Sequence, residues 1–353
     1  MPIAPSATAR RAFRLSAGVA IATILAMPVA AQHATAPYHL IASHTLGGDG
    51  GWDYLALDTA YHRVFVARGD RVMVIDEKSG KLLSEITGLH RTHGVAFDYH
   101  TSHGFVTGSG DSSVTMFDLA TLKVLATTKG SAGADGLIFD EGSSHAFSLN
   151  GAANSATVID GSTGALVATI ALGGRPEFGA SDGNGKLFVN LEDSSAIVEI
   201  DTKHNRVTRH WALAPCESPS GLAIDVAHHR LFSGCENKMM AVWDYQTGKV
   251  VATIPIGSGV DANRYDPATG LAFSSNGEGS ITVAKESRPG DFSVVQTIPT
   301  SPGARTMELD PASHRLFTVT ARFGAAPEQA TPENPRKRPP ILPNSFVLLE
   351  YGQ

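Results

Sequence analysis

Leu222-Ala223-Ile224-Asp225, followed after six intervening residues by Phe232, is one copy of a phrase that runs through the chain. The phrase is an apolar run ending in aspartate, then a short gap and a phenylalanine. Seven copies are present, and their aspartates are 40, 42, 42, 43, 41 and 44 residues apart. A repeat of this length predicts a repeat architecture. We call these aspartates the anchor aspartates: Asp58, Asp98, Asp140, Asp182, Asp225, Asp266 and Asp310.

Each repeat contains four strand signals. The first ends at the anchor aspartate, the second surrounds the phenylalanine, the third ends in an apolar-Asp pair such as Trp243-Asp244, and the fourth resembles Val250–Ile254. Alternating apolar and polar residues, rich in β-branched types, are typical of strands. Four strands in 40–45 residues is the pattern of one propeller blade. The sequence therefore predicts an all-β protein, a seven-bladed β-propeller with four-stranded blades.

The last repeat supplies only three strand signals, at 306–310, 315–320 and 345–350. The missing pattern is found at 38–47, which matches 249–257. We therefore expect residues 38–47 to form the outer strand of the last blade. Such a pairing closes the ring and leaves no open sheet edge.

The N-terminus has the features of a secretory signal. Arg10, Arg11 and Arg14 precede an apolar run, and Val29-Ala30-Ala31 has the small residues of a cleavage site. We predict that 1–31 is a signal peptide, that 32–353 is one propeller domain, and that the protein is periplasmic or secreted, in a bacterium. The same segment as a membrane anchor is the alternative, and the arginine pair leaves Sec and twin-arginine export open.

Charge narrows the range of partners. The 353 residues include 28 Lys+Arg and 34 Asp+Glu, with 18% charged and 42% hydrophobic. Loss of the three arginines in 1–31 leaves 25 basic against 34 acidic residues, a net charge of −9. A chain of this charge repels nucleic acid and gains nothing from an anionic membrane surface. We expect a monomer that binds no nucleic acid and is not an integral membrane protein.

Several phrases resemble a known family. Arg230-Leu231-Phe232, Val242-Trp243-Asp244 and the run 247–257 are similar to the YncE-like seven-bladed propellers with YVTN-type repeats. The resemblance covers 38–353, although the repeat phrase is degenerate and 284–290 replaces the usual Asp-x-x-Thr-Gly turn. Members are mostly exported bacterial proteins. The resemblance therefore implies the fold and export, and no particular activity.

A candidate site follows from the repeat. Inner strands of a propeller begin at one mouth of the central channel, so the residue five before each anchor aspartate is expected there. These positions are rich in ionisable groups: Asp53, His93, Asp135, Glu177, Ser220, Asp261 and Arg305. The loop after the second strand opens on the same face and adds Arg68, Asn150 and Asn276 as candidate ligand-binding residues.

Three interpretations of this acidic mouth stay open. It is a solvated rim, a funnel for a small molecule or a protein partner, or a metal or catalytic centre. Carboxylates with amide oxygens suit Ca²⁺ or another divalent cation. Our primary hypothesis is an exported binding or scaffold protein with its ligand or partner site at the mouth. The alternative is a metal-assisted, lactonase-like hydrolase or lyase, for which the sequence names no catalytic residue.

One segment interrupts the repeat. Residues 324–344 are rich in proline and contain Arg336-Lys337-Arg338, the basic triplet of the chain after residue 31. The insertion lies between the second and third strands of the last repeat, on the side of the mouth. We expect either a lid whose cations dock on the acidic mouth or a loosely held loop.

The two cysteines, Cys216 and Cys235, flank a predicted hairpin. Antiparallel counting brings Cys235 opposite about Ser220, and the loop 215–219 can curl back across the gap. An exported protein meets an oxidising compartment. We therefore predict a disulfide, with free thiols or a soft-metal pair as the alternatives.

Overall fold

Regular structure in the described part of the chain is β, apart from one 3-10 turn at Gly151–Ala153. The computed structural model describes residues 1–4, 36–332, 334–335 and 337–353. The predicted signal peptide, 1–31, lies almost wholly outside these residues. Residues 37–353 form one compact unit. Among the described residues there is no helix of the length and apolarity that crossing a bilayer needs.

The strands are numbered along the chain. The first fourteen are β1 (His39–Thr45), β2 (Leu55–Asp58), β3 (Arg63–Ala67), β4 (Gly69–Asp76), β5 (Leu82–Asp98), β6 (His103–Gly108), β7 (Ser113–Asp118), β8 (Val124–Lys129), β9 (Ala134–Asp140), β10 (His145–Asn150), β11 (Ser155–Asp160), β12 (Leu166–Ala171), β13 (Pro176–Ser181) and β14 (Lys186–Leu191). The rest are β15 (Ala196–Asp201), β16 (Arg206–Ala212), β17 (Pro219–Asp225), β18 (Arg230–Cys235), β19 (Met239–Asp244), β20 (Lys249–Pro255), β21 (Val260–Asp266), β22 (Leu271–Asn276), β23 (Ser280–Arg288), β24 (Asp291–Pro299), β25 (Met307–Asp310), β26 (Arg315–Thr320) and β27 (Val347–Gly352).

Five four-stranded antiparallel sheets repeat one plan. Four of them use consecutive strands, β9 to β12, β13 to β16, β17 to β20 and β21 to β24. The fifth has the order β1-β27-β26-β25, so the first strand of the chain pairs with the last. That pairing runs from His39 opposite Gly352 to Thr45 opposite Val347. The strand pattern at 38–47 therefore lies in the last sheet, where the sequence predicts it.

A seven-stranded sheet, β2 to β8, departs from the predicted plan of separate blades. Its central strand β5 is continuous over 17 residues. The first part of β5 pairs with β4 and the second part pairs with β6. Gly88 and Arg91 have positive φ values of 78° and 52°, which let the strand turn without ending. The outer strand of one repeat and the inner strand of the next are thus one strand.

The repeated aspartates are turn residues. Asp98 accepts hydrogen bonds from the backbone N–H of His100 at 2.9 Å and from the Thr101 hydroxyl at 2.6 Å. Asp160, at the end of a third strand, accepts from the N–H groups of Ser162 and Thr163 at 3.1 and 2.8 Å. An aspartate that bonds its own downstream backbone fixes a tight turn. This requirement explains why the repeat keeps an aspartate at each hairpin.

The repeated phenylalanines form the core between neighbouring sheets. They are fully buried: Phe65, Phe105, Phe147, Phe188, Phe232, Phe273 and Phe317. Burial of one such ring contributes about 1.5–3 kcal/mol. The inner strands also contact one another in chain order, from β2 through β5, β9, β13, β17 and β21 to β25, and β25 contacts β2. The starts of the inner strands consequently lie beside one another.

Cys216 and Cys235 form a disulfide, with their Cα atoms 5.4 Å apart. The sequence predicts this bond. The register differs by one residue from the predicted one, because Pro219 lies opposite Cys235.

Candidate functional site

Ionisable side chains gather at the starts of the inner strands, and two of them, Asp53 and Asp135, contact the imidazole of His93. Nδ1 of His93, on β5, donates a hydrogen bond to Asp53 Oδ2, and the same nitrogen lies 3.4 Å from Asp135 Oδ1. One ligand atom from each of these three residues lies within 4.8 Å of the other two. We use the name acidic cup for the set Asp53, His93, Asp135, Glu177, Asp261 and Arg305.

Arg305 joins the opposite side of the acidic cup. Its Nη1 is 3.3 Å from Asp261 Oδ1 and its Nη2 is 3.7 Å from Asp53 Oδ1. The negative charge of Asp261 raises the pKa of Arg305. Asp261 Oδ2 is buried and has no hydrogen-bond partner among the described residues. A buried carboxylate oxygen without a partner is unusual in a folded protein.

Three carboxyl groups of the acidic cup have raised pKa values. Burial, reinforced by Asp135, Glu192 and Asp261, raises the pKa of Glu177 to about 8. Burial raises the pKa of Asp135 to about 6 against the opposing charge of His93. Burial also raises the pKa of Asp261 to about 6. Half-buried carboxylates that repel one another favour either a proton or another cation.

His93 takes the charged form more readily than an ordinary histidine. Burial disfavours the imidazolium, but the hydrogen bond to Asp53 and the charge of Asp135 outweigh burial, so the pKa of His93 is raised. Its other nitrogen, Nε2, is 2.8 Å from Ser109 Oγ. Ser109 donates in turn to the Arg91 carbonyl at 3.4 Å. When His93 is charged, both of its nitrogens are donors: Nδ1 faces the carboxylates of Asp53 and Asp135, and Nε2 donates to Ser109.

Aromatic rings form the floor of the acidic cup. The ring centroids of Tyr54 and Phe178 are 5.4 Å apart, and the Arg264 guanidinium lies 5.2 Å from the centroid of Phe178. Arg264 is paired with Glu308 through two hydrogen bonds of 2.6 and 2.9 Å. Burial, with the charges of Asp135 and Glu177, raises the pKa of Tyr54 well above its ordinary value. The rings of Tyr54 and Phe178 therefore pack together next to the carboxyl groups of the acidic cup.

A sequence signal for this floor exists, at a position of the repeat that is not among the candidate site positions. Tyr54 and Phe178 stand four residues before an anchor aspartate. In the other repeats the residue at this position has a small side chain or none: Gly94, Gly136, Gly221, Ala262 and Thr306. Two large rings at a position otherwise kept small indicate that a space is filled there. At Gly94 an added Cβ would lie 2.6 Å from the Leu137 nitrogen, which explains the glycine.

The predicted residues of the second loop do not reach the acidic cup. Arg68 is buried, stacks on the Phe346 ring at 3.8 Å and donates to carbonyls of the loop 47–51. Burial lowers the pKa of Arg68 to about 10. Asn150 and Asn276 are buried and bond to side chains of their own sheets. All three have structural partners within the fold.

The insertion between β26 and β27 is held by a bridge between Phe323 and Ile341. Lys337 Nζ donates to the carbonyl of Glu328, at 2.8 Å, within the insertion itself. Neither Lys337 nor Arg338 forms an ion pair with a described residue of the acidic cup. Arg336, the first residue of the basic triplet, lies outside the described residues.

Comparison with solved structures supports the propeller fold. Hydrazine synthase from Kuenenia stuttgartiensis, a propeller-containing protein, superposes with a TM-score of 0.67 at 14% sequence identity. The match covers 75% of this chain and 91% of that chain. At this identity the likeness shows the fold alone. No family model matches the chain, and no curated protein does either.

The donor atoms of the acidic cup decide what it can hold. Carboxylate oxygens alone suit hard cations such as Ca²⁺. An imidazole nitrogen among them shifts the preference to Mn²⁺, Fe²⁺ or Zn²⁺, which accept mixed nitrogen and oxygen ligands. The set Asp53, His93 and Asp135 has this mixed character.

Proposed function

We propose that the protein is an exported, seven-bladed propeller that binds a small cationic ligand in the acidic cup, and that a divalent metal ion is the ligand best matched to it. The observation that carries this proposal is the convergence of Asp53, His93 and Asp135, from three inner strands, on one point. A second, independent observation is the buried and unpartnered Asp261 Oδ2.

Seven blades and a closed ring are part of this proposal. Supporting it, the inner strands contact one another in chain order and β25 contacts β2. The pairing of β1 with β27 completes the sheet of the last repeat. The seven-stranded sheet then counts as two blades that share β5. The repeat phrases similar to YncE-like proteins agree with seven units.

Export is supported by two features that do not depend on the acidic cup. The basic and apolar pattern of 1–31 ends in a small-residue cleavage site. The disulfide between Cys216 and Cys235 suits an oxidising compartment. A periplasmic or secreted location accounts for both.

A metal ion fits the hydrogen bonds that already surround His93. A ligating histidine needs a fixed tautomer, with its second nitrogen bonded to an acceptor. Ser109 provides this acceptor at Nε2. The ion replaces the proton at Nδ1 and neutralises the carboxylates that burial keeps partly protonated.

Metal binding to the purified protein tests the proposal. After chelator treatment, Mn²⁺, Zn²⁺ and Ca²⁺ are titrated by calorimetry at about pH 7.5, with Asp135→Asn as the test variant. The expected result is stoichiometric binding of Mn²⁺ or Zn²⁺, with an affinity loss of about 10- to 100-fold in the variant. Asp70→Asn is the matched control, because the Asp70 side chain is 79% exposed and pairs with Arg71. The proposal fails if wild type and Asp135→Asn bind equally.

A metal-assisted hydrolase or lyase is the second candidate, and Glu177 favours it. A carboxyl group with a pKa of about 8 is protonated at neutral pH and can donate a proton to a leaving group. Turnover of a panel of lactones and esters with Mn²⁺ present tests this candidate. Activity that disappears in Glu177→Gln while Mn²⁺ binding persists would establish it.

A further inference from the structure

The end of β6 carries a glycine where two other repeats carry an asparagine. Asn150 and Asn276 end the second strands of their sheets and lie opposite Ser155 and Ser280 in the register. Gly108 occupies the same place and lies opposite Ser113. The third strands share a serine, an apolar residue and a threonine: Ser113-Val114-Thr115, Ser155-Ala156-Thr157 and Ser280-Ile281-Thr282.

In the two asparagine repeats the carboxamide fills a small polar site. Asn150 Nδ2 donates to Ser155 Oγ at 3.2 Å and to Thr157 Oγ1 at 3.0 Å. Asn276 Nδ2 donates to the corresponding Ser280 and Thr282 at 3.1 and 3.2 Å. The two sites thus recognise an amide in the same way.

The glycine repeat keeps the hydroxyl groups but lacks the amide. A cavity of about 180 Å³ lies beside Gly108 and is lined by Ser113 and Thr115. Both hydroxyl residues are buried, whereas His90 and Thr127 at the edge of the cavity are exposed. The volume holds several waters or one small molecule, and the site can be reached from solvent.

The acid beside this cavity is already neutralised. Asp111 accepts from Ser113 Oγ at 2.6 Å and pairs with Lys129 Nζ at 2.8 Å. An equivalent acid, Glu278, accepts from Ser280 in the sheet that contains Asn276. The cavity therefore resembles the Asn276 site without its carboxamide, with Val106 in the place of Ser274, and it has no unpaired charge that calls for an ion.

We propose that the cavity beside Gly108 binds the primary carboxamide of a small molecule, which takes the place of the asparagine side chain found in the other two repeats. The NH₂ group of the ligand donates to Ser113 Oγ and Thr115 Oγ1. This site is separate from the acidic cup and needs no metal.

Acetamide is the probe. It is titrated into the full protein up to about 50 mM, and its binding is followed by saturation-transfer NMR. A ligand of four non-hydrogen atoms is expected to bind in the millimolar range. Acetate is the matched control, because it has nearly the same shape but no NH₂ group that could donate to the two hydroxyl oxygens. It should bind at least about tenfold more weakly.

Two variants decide the mechanism. Gly108→Asn supplies the amide covalently, so it should raise the Tm and abolish acetamide binding. The Cβ added in Gly108→Asn would lie 3.0 Å from the His90 carbonyl oxygen, so this variant could be strained. Thr115→Val is therefore the second variant. It removes one hydroxyl group and should weaken acetamide binding about tenfold. The proposal is overturned if acetamide gives no signal, which means that the cavity holds water only, or if acetamide binds both variants as it binds wild type.

Discussion

The rings of Tyr54 and Phe178 touch at a centroid distance of 5.4 Å, although their repeats are separated by two others along the chain. Both rings project from the start of an inner strand, one position after Asp53 and Glu177. The contact holds the buried ring of Tyr54 beside the carboxyl groups of Asp135 and Glu177. An apolar ring beside half-buried carboxyl groups disfavours their charged form and so helps to raise their pKa values.

The floor should contribute measurably to stability. Tyr54→Ala removes a buried ring and is expected to lower the free energy of unfolding by about 2–4 kcal/mol. Tyr54→Phe should cost less than about 1 kcal/mol, because the hydroxyl has no hydrogen-bond partner among the described residues. Urea denaturation followed by circular dichroism measures both. Equal losses in the two variants would show that the hydroxyl, and not the ring contact, matters.

Stability should fall as the pH rises. The pKa of Glu177 is about 8 in the folded protein and ordinarily 4.5. Between these values the unfolded chain loses a proton that the folded protein retains, so rising pH favours unfolding. We expect the metal-free protein to be less stable at about pH 8 than at about pH 5.

Glu177→Gln should flatten this pH profile and raise stability at about pH 8 by roughly 1–3 kcal/mol. The exposed Glu217→Gln is the control and should leave the profile unchanged. Thermal unfolding of the three proteins across the pH range makes the comparison. A profile that keeps its slope in Glu177→Gln would contradict this assignment.

Arg305 competes with any cation in the acidic cup. Its guanidinium already faces Asp53 and Asp261. Arg305→Gln removes this positive charge and should tighten Mn²⁺ binding by about three- to tenfold. Calorimetry against the exposed control Arg322→Gln gives the measurement. Weaker binding in Arg305→Gln would mean that Arg305 supports the site.

The disulfide should stabilise the hairpin that carries it. Replacing Cys216 and Cys235 together by serine opens a covalently closed loop of about 20 residues. The free energy of unfolding should fall by about 3 kcal/mol. Denaturant titration measures this loss. In the wild-type protein, mass spectrometry should find no thiol that alkylates before reduction, even after denaturation. Alkylation of both cysteines under those conditions would refute the bond.

The repeat made the blade plan predictable, because it fixes turn residues and core residues at constant spacing. Each anchor aspartate and each phenylalanine has one physical task, so its position can be counted along the chain. The same counting placed Asp53, His93 and Asp135 near one another. The continuous β5 could not be foreseen, because Gly88 and Arg91 also fit an ordinary loop.

The roles of Arg68, Asn150 and Asn276 were not predictable from position alone. Their place in the repeat favours the face of the acidic cup, but side-chain direction decides what they contact. Alternation along a strand turns such a residue inward, where neighbouring serine, threonine or carbonyl groups accept its N–H donors. Sequence spacing carries no information about these partners.

The pairing of β1 with β27 sets the order of events during synthesis. The sheet made by β25, β26 and β27 lacks its outer strand until residues from both ends of the chain have met. A contact of such large sequence separation forms late, because the whole intervening chain must be ordered or looped first. A chain that has been synthesised only as far as residue 346 therefore still has β1 without the strand that it pairs with.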